Sequence, residues 1–265
     1  MVNISIVFIY AKCYILYMTG KTKKVVHMSR ITEKLAYAAI IVLLTACFGF
    51  AISVAENEEP RARFIGQMIE LAETMAADNK ENFRRAHYKG DIGVCKNYVE
   101  FLFNSFKNEY MIGGYPDVNL QMPLNNPEEK CRPYGYGVEW ANKTAEAGNP
   151  FVIAGAFRYD EDITDEENRL AAADMLRQVK RGDFFQMRGE YGGGIGPHSL
   201  MFVEDCADDQ LHWADSNMTG RFIDGERWGY VKFDTQMTVE WMVDALCKPK
   251  YGATLYRLCD DIKLK

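Results

Sequence analysis

The sequence predicts an α+β fold in which helices come first and a mostly antiparallel sheet follows. Apolar residues recur at helical spacing in residues 61–79 and 95–106. From residue 183 onward, short segments of alternating apolar and polar residues are separated by turn residues. Helices followed by strands are typical of the α+β class. The 265 residues carry a formal net charge of −6, so the chain lacks the basic excess that a nucleic-acid partner requires.

The N-terminal 55 residues are predicted to direct export. Arg30 and Lys34 precede an apolar run at 35–55, and acidic residues follow it, which is the order found in a secretory signal. Residues 28–55 are therefore predicted to be a signal peptide, cleaved after the small residues that end the run. A membrane anchor is the alternative, because about 20 apolar residues suffice to span a bilayer. The protein is accordingly expected to be secreted or held in the cell envelope.

Other features define the rest of the domain organisation. Cys47 within the apolar run allows a further alternative, a lipoprotein signal. Residues 1–27, upstream of Met28, are interpreted as an extension or a mis-called start. Residues 56–265 are expected to form a single domain, and they carry 25 basic and 36 acidic residues. A basic start followed by an acidic body agrees with export.

Export bears on the cysteines because disulfides persist outside the cell. The domain has an odd number of cysteines, which is compatible with pairs plus one free thiol. The alternative is that all are buried free thiols, because cysteine is among the most buried residue types. These residues are Cys95, Cys131, Cys206, Cys247 and Cys259.

The helical region is followed by a long irregular segment. Helix 61–79 is amphipathic, and helix 95–106 begins directly at a cysteine. Residues 110–150 are rich in glycine and proline and are predicted to be a loop insert. A loop of that length in a compact domain is usually functional. Its aromatic residues are candidates for lining a substrate groove, or they cover the core; they are Tyr115, Tyr134, Tyr136 and Trp140.

The remaining elements alternate strands with two more helices. Thr164 followed by Glu167 forms a capping-box pattern that predicts a helix over 165–179, and a second short helix is expected at 239–247. A glycine-rich loop is predicted at 190–197. The strands are predicted at 151–159, 183–188, 198–204, 211–215, 229–234 and 252–258.

A cysteine at a helix N-terminus is the best candidate nucleophile in this chain. The helix dipole and the free N–H groups lower the pKa of a thiol there, which favours Cys95. A thiolate nucleophile needs a base, normally a histidine, oriented by a third polar group. His198 follows the glycine-rich loop, and Asp215 ends the next predicted strand. Neighbouring antiparallel strands can bring these side chains together, so the three residues form a workable triad.

The other histidines leave two alternatives. His87 lies close to Cys95 in the sequence and is a rival base. His212 lies three residues before Asp215 on the same predicted strand, so it is expected to face the other side of the sheet and to be structural. A zinc site is a further alternative, and its ligands would be His198, Cys206, His212 and Asp215. Their spacing matches neither a CxxC nor an HExxH pattern. No metal and no cofactor are expected.

Several short motifs occur in an order that resembles a known family. The motifs are the helix opening at Cys95 with Tyr98-Val99, then Gly182-Asp183-Phe184-Phe185, then Pro197-His198-Ser199-Leu200-Met201-Phe202-Val203, and then Trp213-Ala214-Asp215-Ser216-Asn217. In this order, over roughly residues 88–258, the chain resembles the NlpC/P60 and CHAP group of papain-like cysteine peptidases and amidases.

The resemblance implies a papain-like fold with helices packed on the sheet, and it implies roles for single residues. Cys95 would be the nucleophile, His198 the base and Asp215 the residue that orients the histidine. Asn217 is the alternative third residue, since papain-like enzymes also use asparagine there. Tyr88 is a candidate for contacting the oxyanion or the substrate.

Members of this group typically cleave amide bonds of cell-wall peptides. The resemblance therefore implies an exported cysteine hydrolase that acts on peptidoglycan or another peptide. Two alternatives stay open: a non-catalytic envelope-binding module on the same scaffold, and an acyl or amide transferase that uses an amine in place of water. The partners expected are the peptide substrate and, through residues 35–55, a membrane.

Overall fold

The computed structural model describes residues 59–78, 83–86, 91–122, 144–191 and 194–265, all of which belong to one unit, Glu58–Lys265. The predicted leader segments 1–27 and 28–55, and the central part of the predicted insert 110–150, lie outside the described residues. Within the described part of the chain, no helix is both long and apolar enough to cross a membrane.

The described residues form helices, strands and two short 3₁₀ turns. The α-helices are α1 (Pro60–Asp78), α2 (Cys95–Phe106), α3 (Asp165–Leu176) and α4 (Val239–Leu246). The first strands are β1 (Phe83–Arg85), β2 (Tyr110–Ile112), β3 (Phe151–Arg158), β4 (Phe184–Tyr191) and β5 (Gly194–Phe202). The later strands are β6 (Gln210–Ile223), β7 (Glu226–Thr238), β8 (Gly252–Leu258) and β9 (Ile262–Leu264).

Seven of these strands form one sheet in the order β1-β7-β6-β5-β4-β8-β3, and every neighbouring pair is antiparallel. The strands β2 and β9 form a separate antiparallel pair. The α+β class with an antiparallel sheet is therefore confirmed. Strand β2 opens the segment 110–150, so the insert predicted as a loop begins with a paired strand.

The sheet is covered on both faces. Phe184 and Phe185 are consecutive, fully buried strand residues that point to opposite faces. On the face of Phe184, α1 and α2 build one core, which includes Phe64 and Phe103. On the face of Phe185, α3 and α4 build a second core around Trp213. Burying each large aromatic side chain contributes about 1.5–3 kcal/mol, so both helical layers are held to the sheet mainly by apolar contact.

Capping side chains fix where α3 and α4 begin. The Glu167 N–H donates to Thr164 Oγ1 at 3.2 Å, and the Thr164 N–H donates to Glu167 Oε2 at 2.9 Å. The predicted capping box is therefore confirmed. In α4, the Trp241 N–H donates to Thr238 Oγ1 at 3.1 Å. In contrast, Val94 at the N-cap of α2 supplies no side-chain cap, so the N–H groups of its first turn remain available to other acceptors.

The sheet is longer than the sequence pattern indicates. The prediction of a loop at 190–197 is wrong, because β4 and β5 pair through this region. Arg188 pairs with Pro197, and Glu190 pairs with Ile195. Glycine has no side chain to pack but can still make ladder hydrogen bonds, so the glycine content misled the prediction. His198 consequently lies inside β5 rather than at its start.

A buried ion pair ties β4 to β8. Asp183 has a side chain that is 1% exposed, and both of its oxygens accept from Arg257, at 2.8 and 2.7 Å. The Lys180 N–H donates to the same carboxylate at 2.8 Å. This bidentate contact explains the aspartate of the Gly182-Asp183 motif as a structural residue that fixes the beginning of β4.

Candidate functional site

The candidate site lies where two central strands separate. Strands β4 and β5 pair over eight residue pairs, whereas β5 and β6 pair only at Met201 with Ala214 and Phe202 with Trp213. Beyond these pairs, β5 carries His198 and β6 carries Asp215. Helix α2 packs against both strands. The separation of β5 and β6 therefore leaves a place for side chains from three elements to meet.

The turn before α2 is fixed by backbone contacts with the end of the sheet. The Gly93 N–H donates to the Arg85 carbonyl at 2.9 Å, and the Val94 N–H donates to the Asp91 carbonyl at 3.2 Å. Asn97 Nδ2 also donates to the Asp91 carbonyl, at 3.1 Å. A Cβ at position 93 would overlap the Arg85 carbonyl oxygen, so glycine is required there. These contacts hold the first residue of α2 in a defined position.

Cys95 is the first residue of α2, and its thiol contacts the imidazole of His198. The residue as a whole is partly exposed, while its thiol lies beside that ring and beside the backbone N–H groups of Ser199 and Lys96. Burial raises the pKa of the Cys95 thiol, but the charge and hydrogen bond of His198, together with the two N–H groups, outweigh burial and hold the pKa below its ordinary value.

The second partner of His198 is Asp215. His198 Nε2 lies 2.8 Å from Asp215 Oδ2, and the two side chains are 3% and 0% exposed. Because Nε2 contacts the carboxylate, Nδ1 is the ring nitrogen that remains for the thiol. Burial lowers the pKa of His198, but the nearby Cys95 thiolate and the Asp215 carboxylate raise it to about 9. Both shifts favour a thiolate–imidazolium ion pair at neutral pH.

The structure brings together three of the residues singled out from the sequence: Cys95, His198 and Asp215. Asn217 lies two residues farther along β6, opposite Tyr230, and the histidine's Nε2 contact is made with Asp215. Tyr88 and the rival base His87 lie outside the described residues.

His212 belongs to a different pair. Its Nδ1 lies 2.7 Å from Asp234 Oδ1 on β7, and it is in register with Gln236. Within the described part of the chain, no group of three or more His, Cys, Asp or Glu side chains is arranged to hold a metal ion.

The other described cysteines differ from Cys95. They are free thiols, and burial raises the pKa of each. Cys131 lies outside the described residues. Among the described cysteines, the lowered pKa therefore belongs to the one at a helix N-terminus beside a histidine. The three others are Cys206, Cys247 and Cys259.

No protein-family model, curated protein or solved structure matches this chain. The site's function is therefore inferred from its own contacts. One contributor to the site, the Ser199 N–H, was not predicted from the sequence, because a backbone group carries no side-chain signal.

Proposed function

We propose that this protein is an exported cysteine hydrolase that cleaves amide bonds of peptides, and that its substrate is peptidoglycan. The observation that carries the proposal is the contact of the Cys95 thiol with a His198 ring that is itself held by a buried Asp215 carboxylate. Export is supported by the charge and apolar pattern of residues 28–55. The wall substrate is supported by the order of motifs shared with NlpC/P60 and CHAP enzymes.

The first half of the reaction forms a thioester. The Cys95 thiolate attacks the amide carbonyl carbon, and negative charge develops on the carbonyl oxygen. Helix N-termini have N–H groups without intrahelical acceptors, so the Cys95 N–H is in place to stabilise this oxyanion. Tyr88 is proposed as a second donor. The C–N bond then breaks as His198 transfers its Nδ1 proton to the leaving amine.

The second half releases the acid and regenerates the ion pair. The neutral His198 ring removes a proton from water, and the resulting hydroxide attacks the thioester carbonyl. The C–S bond breaks, sulfur leaves as thiolate and the imidazolium is restored. Asp215 keeps Nε2 protonated, which leaves Nδ1 as the nitrogen that exchanges the proton. No metal or other cofactor is needed for these steps.

The proposal is tested by comparing Cys95→Ala with a matched variant, Cys206→Ala. Both variants remove one thiol, but Cys206 is a partly buried cysteine whose pKa is raised by burial. Purified protein is incubated with isolated peptidoglycan, and soluble fragments are separated by chromatography and identified by mass spectrometry. We expect Cys206→Ala to release fragments as the parent protein does, and Cys95→Ala to release none.

Other outcomes would identify the alternatives. Fragment release that survives Cys95→Ala would overturn the hydrolase proposal. Binding to the wall material without release by the parent protein would favour an envelope-binding module. Fragments that gain the mass of an added amine, in place of water, would favour a transferase that uses the same thioester.

A further inference from the structure

The turn that leads into Cys95 lies directly against the backbone of strand β7. A Cβ on Gly229 of β7 would overlap the carbonyl oxygen of Gly93 and would lie 2.6 Å from its carbonyl carbon and from its Cα. These are all backbone atoms, so no flexible side chain could move aside. Gly229 does not have a positive φ angle, so alanine could adopt its conformation. Glycine is therefore required here by the close approach of Gly93, two residues before the thiol.

Strand β1 holds the same turn through a hydrogen bond. The Gly93 N–H donates to the Arg85 carbonyl of β1 at 2.9 Å. Strand β1 is itself paired with β7, where Arg84 lies opposite Gly229. The Gly93 peptide is thus held by a hydrogen bond to β1 and by close contact with β7. The position of Cys95 is therefore tied to these two strands as well as to the packing of α2.

Strand β7 also holds the strand that carries the Asp215 carboxylate. Strands β6 and β7 stay paired from Asp215 to Met218, which lies opposite Gly229. Among the described strand pairs, β5, which carries His198, does not pair with β6 in this region. A continuous path of backbone contacts therefore runs from the carboxylate along β6, across to β7, and into the turn before the thiol. This path does not pass through the histidine.

We propose that Gly229 is a positioning residue whose missing side chain sets where the Cys95 thiol lies relative to the His198 ring. The inference rests on the proposed function, because it concerns the nucleophile of that reaction. Any side chain at position 229 would push the Gly93 turn away from β7 and would carry Cys95 with it. Non-bonded carbon atoms pack at about 3.5–4.0 Å, so the turn would have to move by about 1 Å.

A displacement of that size would weaken the thiolate–imidazolium pair without removing either group. Each charge stabilises the other, so a longer separation raises the pKa of Cys95 and lowers the pKa of His198 from about 9. Lengthening a contact of about 4 Å by about 1 Å corresponds to about half a pH unit. A misplacement of about 1 Å can also reduce the rate of a reaction about 10²-fold.

The test compares Gly229→Ala with a matched control, Gly252→Ala. Gly252 lies on β8, two strands from β5, and a Cβ there would lie 2.6 Å from the Phe157 carbonyl oxygen. Both variants therefore introduce a Cβ against a backbone oxygen, but only Gly229 contacts the turn before the thiol. Thiolate absorbance is recorded against pH, and the same variant carrying Cys95→Ser is subtracted. We expect the Cys95 midpoint to rise by about half a pH unit in Gly229→Ala and to stay unchanged in Gly252→Ala.

The remaining outcomes separate the two proposals. An unchanged Cys95 midpoint in folded Gly229→Ala would overturn the role of Gly229, and so would an equal rise in Gly252→Ala. If Gly229→Ala does not fold, Asn97→Ala decides, because it removes the hydrogen bond from Asn97 to the Asp91 carbonyl of the same turn. A smaller rise is expected there, and no rise would overturn the proposal. A parent protein whose Cys95 has an ordinary midpoint would instead count against the ion pair of the proposed function.

Discussion

The described strands of the sheet carry two histidine–aspartate pairs with almost the same contact distance and very different surroundings. His198 and Asp215 lie 2.8 Å apart with side chains 3% and 0% exposed. His212 and Asp234 lie 2.7 Å apart with side chains 26% and 42% exposed. Among the described residues, a thiol contacts the buried pair and none contacts the exposed pair. The distance between the two partners therefore does not distinguish a functional pair from an ordinary one.

The two histidine–aspartate pairs differ in burial and in the presence of a third group, the Cys95 thiol. An exposed pair gains about 0–1 kcal/mol, because water screens the charges. In the buried pair the interactions are screened much less, so a thiolate and a carboxylate together hold the pKa of His198 at about 9. The same contact chemistry is thus a surface feature in one place and, in the other, an arrangement that can move a proton.

Replacement of each histidine by alanine is expected to give the largest difference in hydrolysis rate between the buried and the exposed pair. His198→Ala removes the proton donor for the leaving amine, so the rate of peptidoglycan hydrolysis is expected to fall about 10³-fold. His212→Ala removes an exposed pair and is expected to leave the rate nearly unchanged. The measurement is the initial rate of fragment release. Equal losses in both variants would mean that the two pairs do not differ in function.

Replacement of each aspartate by asparagine is expected to give the next largest difference in hydrolysis rate between the two pairs. Asp215→Asn keeps the size of the side chain but removes the charge that holds the imidazolium, so a loss in rate is expected that is smaller than the loss for the histidine. Asp234→Asn is the control, with no expected change. Full activity in Asp215→Asn would point to a different third residue, with Asn217 as the first to examine.

The pH dependence of hydrolysis follows from the two shifts. The pKa of Cys95 is lowered, so the thiolate forms at a lower pH than in an ordinary cysteine. It is protonated, and activity is lost, as the pH falls through that lowered pKa. The His198 pKa is raised to about 9, so the imidazolium is present at neutral pH and is lost as the pH rises through 9. Activity is expected to be bell-shaped with an alkaline limb near 9. A limb near the ordinary histidine pKa would contradict the ion pair.

The smallest expected effects are on stability, and they concern the backbone turn that positions the Cys95 thiol beside the buried pair. Gly93→Ala places a Cβ against the Arg85 carbonyl and is expected to destabilise the fold by about 1–3 kcal/mol. Gly66→Ala, in α1, meets no atom within 4 Å and is expected to stabilise it by about 0.5–1 kcal/mol. Urea unfolding of both variants measures the difference, and a neutral Gly93→Ala would show that this turn is not tightly fixed.

The sequence predicted local features well and the paths of the strands less well. Helical spacing and the Thr164–Glu167 cap place α2 and α3, because these signals act over a few residues. The ladder that pairs Arg188 with Pro197 and Glu190 with Ile195 could not be predicted in the same way, because glycines pair through their backbone and carry no alternating side chains.

The candidate site shows the same division between local and long-range information. The position of Cys95 at a helix start is local and was predicted from the sequence. The separation of β5 and β6, which gives His198 and Asp215 room to meet, depends on which strands pair and where the pairing ends.

The charge state of the Cys95 sulfur at neutral pH tests the central claim most directly. A thiolate absorbs in the far ultraviolet where a thiol does not, so the difference in absorbance between the parent protein and Cys95→Ser reports this one sulfur as the pH is raised. The account predicts that the thiolate signal appears at a lower pH than that of a free cysteine, with the imidazolium of His198 beside it. A signal that appears only in the ordinary pH range of a free cysteine would contradict the account.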